Sequence, residues 1–110
     1  MAKRIEEVPF LGSNLQTEGI LMVKILVVDD EPDILYLVNK VLSNKGYTVI
    51  KASSGLDAID KVKKEKPDLV LLDVMMPEMD GWETCKIIRA DDETKDTPIA
   101  MLTVKSTDKD

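Results

Sequence analysis

The sequence contains no histidine, and Cys85 is the single cysteine among its 110 residues. A lone cysteine cannot form an internal disulfide, so a disulfide-stabilised scaffold is excluded. A zinc site built from the usual cysteine and histidine ligands is excluded as well. This residue usage is typical of a reducing compartment, and we expect a cytoplasmic protein.

Long apolar runs and an excess of basic charge are also lacking. No segment approaches the roughly 20 apolar residues of a membrane-spanning helix, and no apolar stretch follows the two basic residues near the N-terminus. The 15 basic residues are outnumbered by 21 acidic ones, which gives a net charge of −6. Nucleic acids and acidic lipids require a basic surface. We therefore expect a protein partner, with neither direct nucleic-acid binding nor membrane association.

The composition that remains is that of one ordinary globular domain, with 44% hydrophobic and 33% charged residues. Residues 1–22 carry Pro9, Gly12 and Gly19 and show no sustained strand or helix period. We interpret them as a loose N-terminal extension. The domain itself is expected over residues 23–110.

Short apolar runs and amphipathic segments alternate from residue 23 onward. Strands are predicted over residues 24–28, 47–51, 68–73 and 98–103. Helices are predicted from Pro32 until Gly46, after a cap at Ser53 or Ser54, and over residues 81–90. The resulting order, β-α-β-α-β-α-β, predicts an α/β fold with a doubly wound parallel sheet, right-handed crossovers and helices on both faces.

Each predicted helix has an apolar face that is expected to enter the core. These residues are Ile34, Leu35, Val38, Val41 and Leu42 in the first helix, Leu56, Ile59 and Val62 in the second, and Trp82, Cys85 and Ile88 in the third.

A single carboxylate, Asp73, ends the apolar run of the third strand, and the chain then turns through Pro77 and Gly81. A strand buried on both faces reads as a continuous apolar run, and ligand sites lie beyond the carboxyl ends of such strands. Asp73 is therefore predicted to be a site residue.

The first strand also ends in carboxylates, Asp29 and Asp30. Neighbouring parallel strands present their ends at one edge, so these two side chains should converge with Asp73. Clustered like charges favour a bound cation, and an all-oxygen site favours Mg²⁺, for which Mn²⁺ can substitute. The alternative is that Asp29 and Asp30 only cap the first helix, where negative charge is favourable.

At this point a resemblance to a known family is evident. The segments KILVVDDEPDI, LVLLDVMMPEMDG and PIAMLT, at their spacing along residues 23–110, resemble the three motif regions of the receiver domain of response regulators in two-component signal transduction. The resemblance implies a flavodoxin-like fold. It also implies a phosphoprotein that at most catalyses its own phosphorylation and dephosphorylation.

The resemblance further implies a role for each motif residue. Asp73 is expected to take a phosphoryl group from the phosphohistidine of a sensor histidine kinase or a phosphotransfer protein. Mg²⁺ is expected on Asp30, Asp73 and the backbone carbonyl of Met75, with Asp29 acting mostly through bound water. Thr103 is expected to be the switch hydroxyl, whereas Pro77 and Gly81 are expected to shape the loop.

Receiver domains continue beyond the switch hydroxyl with a helix, a strand and a helix, and the strand ends in a functional lysine. Lys105 lies only two residues after Thr103 and does not match that lysine, so no residue of this sequence is assigned its role. The sequence thus predicts an incomplete receiver fold with impaired phosphorylation or switching. It also predicts self-association through an exposed fourth strand.

Two other functions fit part of the pattern. A phosphohydrolase with an aspartyl nucleophile, of the haloacid dehalogenase type, places a second aspartate two residues after the nucleophile, where this sequence has Met75. An interaction module that retains the fold without phosphorylation is the other alternative.

Overall fold

Strands and helices alternate along residues 22–102, which are the residues that the computed structural model describes. The strands are β1 (Lys24–Val28), β2 (Thr48–Ala52), β3 (Leu69–Asp73) and β4 (Ile99–Leu102). The helices are α1 (Pro32–Asn44), α2 (Gly55–Glu65) and α3 (Gly81–Ala90). The predicted order of elements is confirmed. Residues 1–21 of the predicted extension, and all residues from Thr103 onward, lie outside the described residues.

The four strands form one parallel sheet in the order β2-β1-β3-β4. β1 lies between β2 and β3, with Val28 beside Ala52 on one side and beside Leu72 on the other. In β3, Asp73 is paired with Leu102 of β4. The carboxyl ends of the strands therefore meet at one edge, as predicted.

The sheet buries a hydrophobic cluster on each face, because alternate strand residues point to opposite sides. Leu26, Val28, Val70 and Leu72 pack with residues of α2 and α3, including Val62 and Ile88. On the other face, Ile25, Val27 and Leu71 pack with Leu42 of α1, Tyr47 and Leu102. Helices thus cover both faces, which is the doubly wound arrangement.

The helix α1 begins at Pro32, where a missing N–H costs nothing, and ends before Gly46, whose φ of +93° only glycine adopts easily. Leu42 is fully buried, whereas Val41 is 51% exposed, so the prediction that Val41 enters the core was wrong. Tyr47, which follows Gly46, is buried, and this burial raises the pKa of its phenol.

The buried faces of α2 and α3 are built largely from small residues. Two exposed side chains, Leu56 at 67% and Trp82 at 58%, contradict the prediction that they enter the core. The residues buried instead follow one spacing, i, i+3 and i+7: Gly55, Ala58 and Val62 in α2, and Gly81, Thr84 and Ile88 in α3. Small residues let the two helices approach closely, and the large side chains at the next positions are turned outward.

The connection from α3 to β4 is fixed by polar contacts. The guanidinium of Arg89 donates to the carbonyls of Lys95 and Thr97 at 2.9 and 2.6 Å. Lys63 of α2 pairs with Asp91 at 3.0 Å. The Glu93 backbone N–H and then Lys63 lower the pKa of the Asp91 carboxyl, and Asp91 in turn raises the pKa of Lys63. These contacts hold the start of β4 beside α2 and α3.

Candidate functional site

Three carboxylates meet at the carboxyl edge of the sheet, where the sequence places Asp29, Asp30 and Asp73. One oxygen of each lies within 4.8 Å of the others. Asp29 and Asp73 have no exposed surface, and Asp30 is half-buried. Because Val28 is paired with Leu72, the residues that follow them come side by side. The predicted convergence of these three residues is therefore present.

Asp29 is held in place by backbone contacts on both sides. Its N–H donates to the carbonyl of Ala52 at 3.1 Å, which extends the β1–β2 ladder by one residue. Its Oδ1 accepts from the N–H of Glu31 at 2.9 Å. The second contact turns the chain from β1 toward α1. Asp29 thus fixes the turn before α1 and belongs to the carboxylate cluster. It is not the cap of the helix, because the N-cap residue is Glu31 and no side-chain cap hydrogen bond is formed there.

Asp73 is positioned by the strand and by the loop that follows it. Its Oδ1 accepts from the N–H of Met75 at 3.3 Å. The next residue, Val74, donates its N–H to Leu102 at 3.3 Å, which ties the start of the loop to β4. Asp73 is therefore the last residue of a buried strand. The loop that follows it is held by the Met75 N–H on the Asp73 carboxylate and by the Val74 N–H on the carbonyl of Leu102.

The loop between β3 and α3 closes directly behind Asp73. Gly81 donates its N–H to the carbonyl of Val74 at 2.9 Å. A Cβ at Gly81 would collide with the carbonyl oxygen of Asp73 and would lie 2.9 Å from the Cα of Val74. These neighbours are backbone atoms and cannot rotate away, so a glycine is required here for close packing.

The remaining residues of this loop divide between surface and core. Met75 is 66% exposed, whereas Met76 is buried in the hydrophobic cluster between the sheet and the helices α2 and α3. Pro77 is exposed, and its carbonyl accepts from Met79 at 2.7 Å. Glu78 has a φ of +66°, so the backbone reverses within this turn. Pro77 thus lies in the turn and not in the carboxylate cluster.

The cluster is electrostatically suited to a cation. At 4.8 Å, two like charges repel by about 3.5 kcal/mol at an effective dielectric constant near 20. Two oxygens bound to one Mg²⁺ lie at most about 4.2 Å apart, since each bond is about 2.1 Å long. All three oxygens lie within 4.8 Å of one another, a limit slightly above this value, and the donor set is all oxygen. The residues present therefore fit a hard divalent cation.

One predicted contributor, Thr103, lies outside the described residues, directly after Leu102, which is the last of them. The register places Leu102 beside Asp73, so the described part of β4 ends next to the carboxylate cluster.

Sequence reasoning missed three residues that shape the site. Asp80 caps α3, with its Oδ1 accepting from the N–H of Glu83 at 2.9 Å. The pair Asp80 and Glu83 has the spacing of a capping box, so this signal was available. The other two are Met76, which anchors the loop, and Gly55, where an added Cβ would meet the Oγ1 of Thr84 and the side chain of Met79. Neither is marked by a pattern in the sequence.

This geometry can be compared with known families. The sequence matches the response regulator receiver domain family over residues 25–110. The chain belongs to this family. Receiver domains are signalling modules, and the fold is the flavodoxin-like one that the resemblance implied.

Curated relatives differ greatly in length. The chain is 49% identical over 87 residues to the alkaline phosphatase synthesis transcriptional regulatory protein PhoP of Bacillus subtilis, covering 79% of this chain and 35% of that protein. It is 36% identical over 89 residues to PilH of Pseudomonas aeruginosa, covering 81% of this chain and 74% of that protein. The chain thus spans about a third of the first relative and about three quarters of the second.

Solved receiver structures share the fold. The N-terminal domain of a response regulator receiver protein from Methanoculleus marisnigri superimposes with a TM-score of 0.75 at 44% identity, covering 80% of this chain and 72% of that one. The chemotaxis protein CheY4 of Vibrio cholerae gives a TM-score of 0.73 at 39% identity, covering 79% of this chain and 72% of that one. Among the described residues, no helix is long and apolar enough to cross a membrane.

Proposed function

We propose that Asp73 accepts a phosphoryl group from a phosphohistidine of a sensor histidine kinase or a phosphotransfer protein, in the cytoplasm. One observation carries this proposal: a buried carboxylate at the end of β3 has two further carboxylates within 4.8 Å. Phosphoryl transfer depends mainly on placing the reacting groups and on neutralising charge. A fixed carboxylate beside a cation site supplies both.

In this reaction an oxygen of Asp73 attacks phosphorus, and the bond from phosphorus to the histidine nitrogen breaks. The electron pair of that bond leaves with the imidazole. The Met75 N–H, which donates to Oδ1 of Asp73 at 3.3 Å, holds the orientation of the carboxylate before attack. Because Asp73 is the last residue of a buried strand, its backbone is fixed relative to the donor's approach from the edge of the sheet.

Mg²⁺ is the cofactor proposed for the cluster, with Mn²⁺ as a substitute. Asp30, Asp73 and the backbone carbonyl of Met75 would hold it directly, and Asp29 would act mostly through water. When bound, the cation neutralises negative charge on the cluster and on the phosphoryl oxygens. Asp29 also fixes the turn between β1 and α1 through its contact with the N–H of Glu31, which makes it a positioning residue as well.

We propose Thr103 as the switch hydroxyl. Its position in the sequence supports this, because Thr103 directly follows Leu102, which is paired with Asp73. The phosphoryl group of the product carries about −1.5 to −2 charge in place of the single charge of the carboxylate, and a nearby hydroxyl can then donate to the phosphoryl oxygens. The hydrogen bond from Val74 to Leu102 already connects this strand to the loop after Asp73. Pro77 and Gly81 shape that loop.

The proposal is tested by incubating the protein with radiolabelled acetyl phosphate and Mg²⁺. We expect an adduct that is stable in acid and labile in alkali, and that is lost in Asp73→Asn. The matched control is Asp92→Asn, because the Asp92 side chain is 95% exposed and lies after α3, away from the cluster. This control should label as the original protein does.

Two outcomes contradict the proposal. Continuous phosphate release with no adduct indicates a phosphohydrolase. Absence of both adduct and turnover, in protein whose fold is verified by circular dichroism, indicates an interaction module without phosphorylation.

A further inference from the structure

Two side chains of α2 hold the end of β2. The Nζ of Lys61 donates to the carbonyl of Lys51 at 2.7 Å. The Oδ2 of Asp57 accepts from the backbone N–H of Ser53 at 3.4 Å. The two side chains also pair with each other at 3.4 Å. Asp57 and Lys61 are called the α2 clamp below. They hold the chain immediately before and immediately after Ala52.

The clamped backbone groups lie on the outer edge of β2. In the described part of the sheet, β2 is an edge strand with β1 as its neighbour. Successive residues of an edge strand point their backbone groups alternately toward the neighbouring strand and away from it. Thr48 and Ala52 form hydrogen bonds on the β1 side, so the backbone groups of Lys51 and Ser53 point outward. The α2 clamp therefore supplies side-chain partners where the described sheet has no further strand.

One peptide unit connects the α2 clamp with the carboxylate cluster. The carbonyl of Ala52 and the N–H of Ser53 belong to the same planar unit. Asp57 accepts from the N–H end, and the carbonyl end accepts from the N–H of Asp29 at 3.1 Å. Hydrogen bonds at the two ends of an amide polarise and strengthen each other. The orientation of this unit, and with it the backbone of Asp29, thus depends on a side chain of α2.

We propose that Asp57 and Lys61 are positioning residues for the divalent cation at the carboxylate cluster, and that they act through the peptide unit between Ala52 and Ser53. This inference rests on the metal site proposed above. Neither side chain belongs to the cluster itself. Lys61 fixes the chain before Ala52 and keeps Asp57 oriented toward Ser53. Loss of either side chain lets the peptide unit rotate, so Asp29 is held less rigidly and the cation is bound more weakly.

A second ion pair on α2 separates this role from ordinary helix stabilisation. Lys64 and Asp60 also lie four residues apart, and their charged groups are also 3.4 Å apart. Among the described residues, neither of these side chains forms a hydrogen bond with β2. Pairs of this spacing stabilise a helix by similar amounts. Removal of either lysine therefore costs one such pair, but only removal of Lys61 also costs a contact with the strand.

Titration of the protein with Mg²⁺ in an isothermal calorimeter tests the proposal. Lys61→Met keeps the apolar stem of the side chain and removes the ammonium. It should raise the Kd for Mg²⁺ about threefold, which is less than the effect of losing a direct partner of a metal ligand, because the clamp is one contact further away. Lys61→Arg keeps a donor for the carbonyl of Lys51 and should restore most of the affinity. Lys64→Met is the control and should leave the Kd unchanged.

Amide hydrogen exchange in the metal-free protein, followed by NMR, provides a second readout. In Lys61→Met and in Asp57→Ala, the N–H of Asp29 should exchange about tenfold faster, because its contact with the carbonyl of Ala52 opens more often. Amides of β3 should exchange at their original rates, which shows that the overall stability is retained. Asp57→Asn keeps an acceptor oxygen for the N–H of Ser53 and should exchange more slowly at Asp29 than Asp57→Ala does.

The outcomes distinguish this inference from the metal site on which it rests. If Asp30→Asn binds Mg²⁺ as the original protein does, the metal site itself is wrong and the positioning role falls with it. If Asp30→Asn loses binding while Lys61→Met binds as the original protein does, the metal site stands and the α2 clamp has no positioning role. Equal losses of affinity in Lys61→Met and Lys64→Met, or unchanged exchange at Asp29 in Lys61→Met, overturn the inference as well.

Discussion

Gly81 determines how closely the loop after Asp73 folds back on the strand that carries it. The position that a Cβ would take there is occupied by the backbone of Asp73 and Val74. Gly81, which has no side chain, therefore controls how closely the loop packs against the backbone of Asp73.

At this scale we predict that Gly81→Ala destabilises the protein by about 3 kcal/mol, because overpacking against backbone forces the loop to move. Urea unfolding measures the change. The matched control is Gly46→Ala, where an added Cβ has nothing within 4 Å but φ is +93°. Backbone strain alone should cost about 1 kcal/mol there. Equal losses for the two variants would show that the loop adapts and that the close approach is unimportant.

Single residues also show why the carboxylate cluster could be predicted from the sequence while its surroundings could not. Asp29, Asp30 and Asp73 each follow an apolar strand, and the geometry of a parallel sheet brings such residues to one edge. By contrast, Met76 is buried beside an exposed Met75 because the loop passes over the hydrophobic cluster beneath α2 and α3. A loop has no helix or strand periodicity from which this burial could be predicted.

At the scale of elements, α2 and α3 are fixed by side-chain caps and by small buried residues. Ser54 precedes α2, and its Oγ accepts from the N–H of Asp57 at 3.1 Å. The adjacent Ser53 was an equal candidate in the sequence. Its own N–H donates to the Asp57 carboxylate at 3.4 Å, and this contact uses no side-chain atom of Ser53.

We predict that Ser54→Ala lowers the free energy of unfolding by about 1 kcal/mol, the usual value of an N-cap hydroxyl. Ser53→Ala is the control and should change the stability by less than about 0.5 kcal/mol, as an exposed substitution does. Thermal and urea unfolding measure both variants. If Ser53→Ala is the more damaging of the two, the assignment of the cap is wrong.

The elements themselves were largely predictable. β1 and α3 have the predicted bounds, because an apolar run and a Gly to Ala segment mark their ends. β2 begins one residue later than predicted, since the N–H of Tyr47 bonds to Leu42 in the turn after α1. Leu56 and Trp82 were assigned to the core because they lie on the apolar face of each predicted helix, but the close approach of α2 and α3 buries Gly55 and Thr84 instead.

At the scale of the whole molecule, the buried carboxylates oppose the stability of the fold when no cation is present. A ligand that binds only the folded chain stabilises it by mass action, by about 1.4 kcal/mol when its concentration is ten times its Kd. For a domain of this size, that corresponds to a rise in Tm of about 6 °C or more.

We therefore predict that Mg²⁺ raises the Tm of the protein and that EDTA reverses the effect. Asp30→Asn should abolish the rise, because it removes one of the three clustered carboxylates. The control Asp92→Asn should retain it, which separates a specific site from general screening of the negative chain. Differential scanning calorimetry provides the measurement. An equal rise in both variants would contradict a metal site at the cluster.

The position of β1 in the middle of the sheet also has a consequence for how the protein is made. β1 is synthesised first, but it pairs with β3 as well as with β2. Synthesis from Val28 to Asp73 adds 45 residues, which takes roughly 2 to 9 s at the usual rate of 5–20 residues per second. During that interval one side of an apolar strand has no partner in the nascent chain. Transiently exposed apolar surface of this kind is prone to aggregation, so we expect the nascent chain to be most vulnerable before Asp73 has been translated.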